Sequence, residues 1–188
     1  MGTRGFFGFR VNGEDKITYN HSDSYPDGGL GDKVVEWVRA GFSHNRRAET
    51  EQAIRDLETV DSKHALASDD HIRKVGKKYL QMSVGGGNGI KDTDITYYRL
   101  LRGAQPSEGV DRVLAAGVMS RFSDPCEDYG YVINLDERVV EIYDSRSRSA
   151  TLPSRYTHMK LRGIYPIENI ETWRKVWKQE CWPNSDGD

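Results

Sequence analysis

Between Tyr19 and Tyr25 the chain reads YNHSDSY, a run of side chains equipped for acid–base chemistry. His21 titrates close to neutrality, so its ring can take up or release a proton near pH 7. Asp23 is a carboxylate able to orient an imidazole, and Asn20, Ser22 and Ser24 supply hydrogen-bonding groups. On an extended strand, residues two apart point to one side, which would set His21 and Asp23 together. The candidate catalytic set is Thr3, Arg4, Asn20, His21 and Asp23. Thr3 or an activated water would attack and His21 would act as acid or base. Asp23 would orient His21, and Arg4 or Asn20 would stabilise developing negative charge. A structural reading stands beside this one. Asn, Ser, Asp, Pro and Gly are turn and cap formers, and YNHSDSYPDGGLG also reads as a strand end and helix entry.

Tyr25 adds an aromatic contact to this block, and Arg146 and Arg148, in SRSRS, form a basic patch that would suit an anionic ligand. These three are the candidate ligand-binding residues. A second basic stretch, HIRKVGKKY (71–79), follows Asp69 and Asp70 and reads as a solvated helix face. SVGGGNGIKD (83–92) is glycine-rich, but it matches neither a phosphate-binding loop nor a dinucleotide fingerprint, so no cofactor is implied. Glu127, Asp128, Asn134, Asp136 and Glu137 are spread along a hairpin, with no histidine pair at ligand spacing, and predict no metal. Cys126 and Cys181 lie far apart without CxxC spacing, which points to neither a zinc site nor a disulfide scaffold.

The elements that must position these groups are readable in outline. TRGFFGFRV and KITYN flank Asn12-Gly13, a β-hairpin signature. GLGDKVVEWVRAGF carries Leu30, Val34, Val35, Trp37 and Val38 at helical spacing, and RRAETEQAIRDLETV (46–60) reads as a second helix. Shorter helices are predicted in DDHIRKVGKKYLQM, DITYYRLLRGAQ and SEGVDRVLAAG, with Ser68 or Asp69 capping the first and Ser107 the third. YGYVINLDERVVEIYDS is a second hairpin, MKLRGIYPI a further strand and ENIETWRKVWKQ a terminal helix. Strands, a helical block, then strands predict an α+β fold, with an antiparallel sheet built from the two hairpins and helices packed on it. Residues 1–182 are expected to form one domain, with 183–188 a frayed tail.

Nineteen aromatic side chains (four Trp, ten Tyr, five Phe) supply core material to a chain that is otherwise polar. A net charge of −2 gives no overall pull toward nucleic acid or an anionic membrane. No segment approaches the roughly 18 apolar residues of a membrane span, so a cytoplasmic protein is expected.

The opening MGTRGFFGFR, followed by YNHSDSYP and GLG, is similar to a family of largely uncharacterised phage and microbial proteins. Members open Met-Gly-Thr-Arg-Gly and continue Tyr-Asn-His-x-Asp-Ser-Tyr-Pro before a Gly-Leu-Gly helix start, and YGYVINLDERVVEIY is similar to their second hairpin. More loosely, the chain resembles N-terminal-nucleophile hydrolases of the choloylglycine type. There a hairpin begins Met-Cys-Thr, and its second strand ends Arg-Asn-x-Asp. Here Met1-Gly2-Thr3 and Asn20-His21-Ser22-Asp23 stand at comparable separation. That resemblance implies a layered αββα fold and hydrolysis of an amide or related bond by the first residue left after processing. The sequence departs from it at the central residue. Removing Met1 exposes Gly2, which has no nucleophile, and Thr3 becomes terminal only if Gly2 is also removed. The alternative is a non-enzymatic binding protein of phage type, which inhibits a host protein or sequesters a nucleotide-like signal.

Overall fold

Gly5–Val11 forms β1 and Glu14–Asn20 forms β2. They turn at Asn12 and Gly13, whose φ values of 53° and 78° suit the tight hairpin predicted there. The computed structural model describes residues 2–61, 65–75, 95–101, 106, 110–145, 152–171 and 173. Helices α1 (Leu30–Gly41) and α2 (Arg47–Asp56) follow, then strand β3 (Glu58–Val60). Three short helices come next: α3 (Asp69–Val75), α4 (Tyr97–Leu101) and α5 (Val110–Ala116). The chain then forms β4 (Val118–Ser120), β5 (Tyr129–Asn134), β6 (Val139–Asp144) and β7 (Lys160–Pro166).

The main sheet has the order β2-β1-β5-β6-β7. Each hairpin is antiparallel internally, as expected, but the two are joined by parallel pairing of β1 with β5, so the sheet is mixed and mostly antiparallel. The second sheet among the described residues is the parallel β3–β4 pair. The fold is α+β. Alternation along β1 sends Phe7, Phe9 and Val11 to one face, against Leu30, Val34, Val35, Trp37 and Val38 of α1 and Ile54 of α2. Phe6 goes to the other face, with Ile17, Val132, Tyr143, Met159 and Leu161. Among the described residues, Phe122 and Tyr156, neither of them in a helix, pack on that face.

The predicted helix over 46–60 stops at Asp56, and Glu58–Val60 pairs instead with Val118–Ser120. Lys16 shows one reason for the stop. Its ammonium donates to the carbonyls of Ile54, Arg55 and Leu57 at 3.2, 2.7 and 2.7 Å, satisfying the groups a helix end leaves open. Ser68 caps α3 as expected, its hydroxyl accepting from the His71 N–H at 3.2 Å. The predicted terminal helix begins as a 3-10 turn at Ile167–Asn169. Its residues beyond Trp173, Ser107 and the glycine-rich run lie outside the described residues.

Candidate functional site

The end of β2 folds over the start of β1. Gly5 and Asn20 are ladder partners, which brings Thr3 and Arg4 beside the Asn20–Ser24 loop. Thr3 is 3% exposed, and its carbonyl accepts from the Ser24 N–H at 3.2 Å. Asn20 is fully buried; its amide donates to the Ser22 carbonyl at 2.5 Å and to Ser24 Oγ at 2.7 Å. Ser24 is fully buried too, and its carbonyl accepts from the Tyr131 hydroxyl at 3.0 Å. Burial is the largest influence raising the Tyr131 pKa, which keeps that hydroxyl a donor. Asn20, Ser24 and Thr3 thus hold the loop in shape.

His21 and Asp23 are placed differently. The strand ends at Asn20, and Asp23 takes a left-handed backbone with φ 54°, so strand alternation does not carry through to it. Both side chains are exposed. Tyr19 OH meets His21 Nδ1 at 3.2 Å, and Tyr19 packs at 5.7 Å on Phe122. Arg4 is exposed; its N–H donates to Asp128 Oδ2 at 3.1 Å, and its carbonyl accepts from Tyr129 at 3.4 Å. Tyr25 is 43% exposed and stands 6.5 Å from the Tyr129 ring. Arg4, Tyr25, Asp128 and Tyr129 therefore share one rim. Ser145 joins the same rim through its N–H to the Asp128 carbonyl at 3.2 Å, while Arg146 and Arg148 lie outside the described residues.

The loop also starts α1. Leu30 and Gly31 donate to the carbonyls of Asp23 and Tyr25 at 2.7 and 3.0 Å, so the first helical N–H groups are satisfied by backbone. The fit is close: a Cβ on Gly29 would stand 2.4 Å from the Asp23 carbonyl oxygen. Packing likewise explains Gly31, whose Cβ would stand 2.5 Å from the Pro26 carbonyl oxygen, whereas Gly28 takes φ 77° in open space.

A second polar cluster, which local sequence patterns do not reveal, occupies the sheet face away from α1. Glu141 is 4% exposed and Asn134 2% exposed. The Glu141 carboxylate accepts from Asn134 Nδ2 at 2.8 Å, from the Tyr143 hydroxyl at 2.8 Å, and from Arg155 Nη1 and Nη2 at 2.8 and 2.6 Å. Asp15 receives Arg155 Nε at 3.3 Å, the Tyr156 hydroxyl at 3.0 Å and Arg10 Nη1 at 2.9 Å. Burial raises the Glu141 pKa and is its largest influence, but the donors of Arg155, Asn134 and Tyr143 together outweigh it. They hold the carboxyl below the usual glutamate range. Burial, then the Glu141 charge, pushes Tyr143 up. Each carboxylate oxygen of Glu141 accepts two of these bonds, so Glu141 fastens chain segments together. The cluster's one local trace is Glu141 between Val140 and Ile142 in VVEIYD, which does not name the distant partners.

Of the carboxylates weighed for a metal, Asp136 accepts the N–H groups of Asn12 and Gly13, both at 2.8 Å, tying one hairpin turn to the other. The Gly13 bond leads the causes that lower its pKa. Among the described residues, no three His, Cys, Asp or Glu side chains are grouped to hold a metal ion, and no helix is long and apolar enough to cross a membrane. A groove of about 330 Å³ lies near the end of α1, lined by Val38, Phe42, Ile167 and Ile170 with Arg39 and Glu171 at its rim, away from the predicted site residues. No protein-family model, curated protein or solved structure matches this chain.

Proposed function

We propose that this chain is a non-enzymatic binding protein that takes a protein partner on the rim shared by Arg4, Tyr25, Asp128 and Tyr129 at the end of the first hairpin. The observation that carries the reading is the division within YNHSD. Asn20, which would have stabilised developing charge, is fully buried with its amide engaged by Ser22 and Ser24. His21, Asp23, Tyr25 and Arg4 are the members left facing outward. Exposed Tyr and Arg are the side chains that most often anchor protein interfaces. The resemblance to phage proteins suggests a host protein as the partner.

Immobilised protein and an Arg4→Ala/Tyr25→Ala variant, used on a cognate cell lysate, test the reading. Wild type is expected to retain one partner stoichiometrically, and the variant to lose at least about tenfold in affinity, roughly 1.4 kcal/mol. Equal capture by both proteins would defeat this surface assignment. Calorimetry against mononucleotides covers sequestration of a nucleotide-like signal, and saturable binding there would replace the protein partner.

A second reading, a hydrolase-like activity on an amide or related bond, rests on the contact of the amino terminus with the loop. The Ser24 N–H donates to the Thr3 carbonyl at 3.2 Å, so removal of Met1 and Gly2 would leave Thr3 as the terminal residue against the loop that carries His21 and Asp23. Activity lost in both His21→Ala and Asp23→Ala, on a chain beginning at Thr3, is its signature.

A further inference from the structure

Asp144 ends β6 and is the ladder partner of Lys160, the first residue of β7. The connection between them, residues 145–159, therefore leaves and returns at adjacent points. It is several times longer than the ~2–5 residues of an ordinary hairpin loop.

The returning half, Leu152–Met159, crosses the sheet face opposite α1. Leu152, Pro153, Ser154, Thr157 and His158 are exposed, while Tyr156 and Met159 enter the small apolar cluster with Phe6, Val132 and Tyr143. Tyr156 meets Phe6 edge-on at 5.2 Å and Tyr143 at 4.9 Å. Arg155 and Tyr156 supply its side-chain bonds to the sheet among the described residues. Arg155 grips Glu141 on β6 and Asp15 on β2, and Tyr156 reaches Asp15. Leu152 adds one backbone bridge to Leu161.

We propose that Leu152–Met159 is a releasable strap, which detaches as a unit with the five strands intact once the carboxylates of Glu141 and Asp15 let go of Arg155. Its departure uncovers Phe6, Val132 and Tyr143 as an apolar face. Two features of the fold support this. The strap packs on a cluster separate from the larger core between the sheet and α1, so losing it leaves that core whole. Its charged anchorage converges on one guanidinium, so a single event undoes it. The charged and titratable groups facing Glu141 are Arg155 and Tyr143, with Asn134 adding a neutral donor; those facing Asp15 are Arg155, Tyr156 and Arg10. Acid is the experimental trigger, because protonating Glu141 removes the charge that the two-pronged bond from Arg155 rests on. The depressed pKa of Glu141 places that release below the ordinary glutamate range.

Hydrogen exchange read by mass spectrometry, with binding of an apolar fluorescent dye, tests the strap. In Glu141→Gln at neutral pH, amides of 152–159 are expected to exchange on the order of tenfold faster or more, while β1, β5 and β6 stay protected and dye binding rises. Wild type should reach the same state only on acidification. Arg155→Lys, which keeps the charge but loses the two-pronged grip, should show a smaller acceleration confined to the same segment. It decides the matter if Glu141→Gln fails to fold. Strap and sheet losing protection together, or a strap unchanged in Arg155→Lys, overturns the proposal.

Discussion

Replacing Asn20 with Ala separates a structural role for the YNHSD block from a chemical one. Asn20 is fully buried, and its amide makes two short bonds, to the Ser22 carbonyl and to Ser24 Oγ. Each bond contributes about 1 kcal/mol net, and stranding a buried acceptor costs about 1–3 kcal/mol. Ser24 is itself fully buried, so water cannot replace the lost donor at its hydroxyl. The expected loss is about 2–3 kcal/mol, which for a chain of this length lowers Tm by roughly 4–12 °C. Thermal unfolding followed by circular dichroism, with a urea titration for the free energy, measures it. His21→Ala, at an exposed position, should stay within about 0.5 kcal/mol of wild type. Asp23→Gly should be neutral or stabilising, because φ is 54° there. If Asn20→Ala melts with the wild type, or His21→Ala falls as far as Asn20→Ala, Asn20 is not the residue that holds the block in shape.

Gly29→Ala should lose about 1–3 kcal/mol, since its Cβ would meet the Asp23 carbonyl oxygen at 2.4 Å; an unchanged urea midpoint would contradict this. Arg155→Met strands the buried Glu141 carboxylate and should lose about 3 kcal/mol, whereas Arg155→Met/Glu141→Gln, which keeps an acceptor for Asn134 and Tyr143, should recover part of it, as a double-mutant cycle in urea would show. Stability should also depend on pH through Glu141. Its folded pKa is depressed, so its contribution is present above the unfolded value and lost as pH falls through the lower folded one. Unfolding followed from about pH 5 to 2 should therefore show a steeper decline in wild type than in Glu141→Gln, and parallel curves would remove Glu141 as the cause.

Both hairpins and α1 could be read from the sequence because their signals are local: Asn12-Gly13 between alternating aromatics, β-branched residues around a short turn, and apolar residues at helical spacing. Strands β3 and β4 could not. Each has three residues, and Glu58 pairs with Val118, so their stability comes from a distant partner while the local pattern of 46–60 favours helix. The hairpin end was legible as a place where polar groups gather, but not in its division of labour. Nothing in YNHSD says that the strand stops at Asn20 or that Asp23 takes a left-handed backbone. The Glu141 cluster draws on residues 15, 134, 141, 143, 155 and 156, which only the strand order β2-β1-β5-β6 brings together.

The central claim, that the hairpin end binds a partner and Thr3 does no chemistry, is tested most directly by mass spectrometry of the purified protein after exposure to an electrophilic lactone. A chain that still begins at Met1 or Gly2 and carries no adduct on Thr3 is the predicted result. A chain trimmed to Thr3 and acylated there would contradict it.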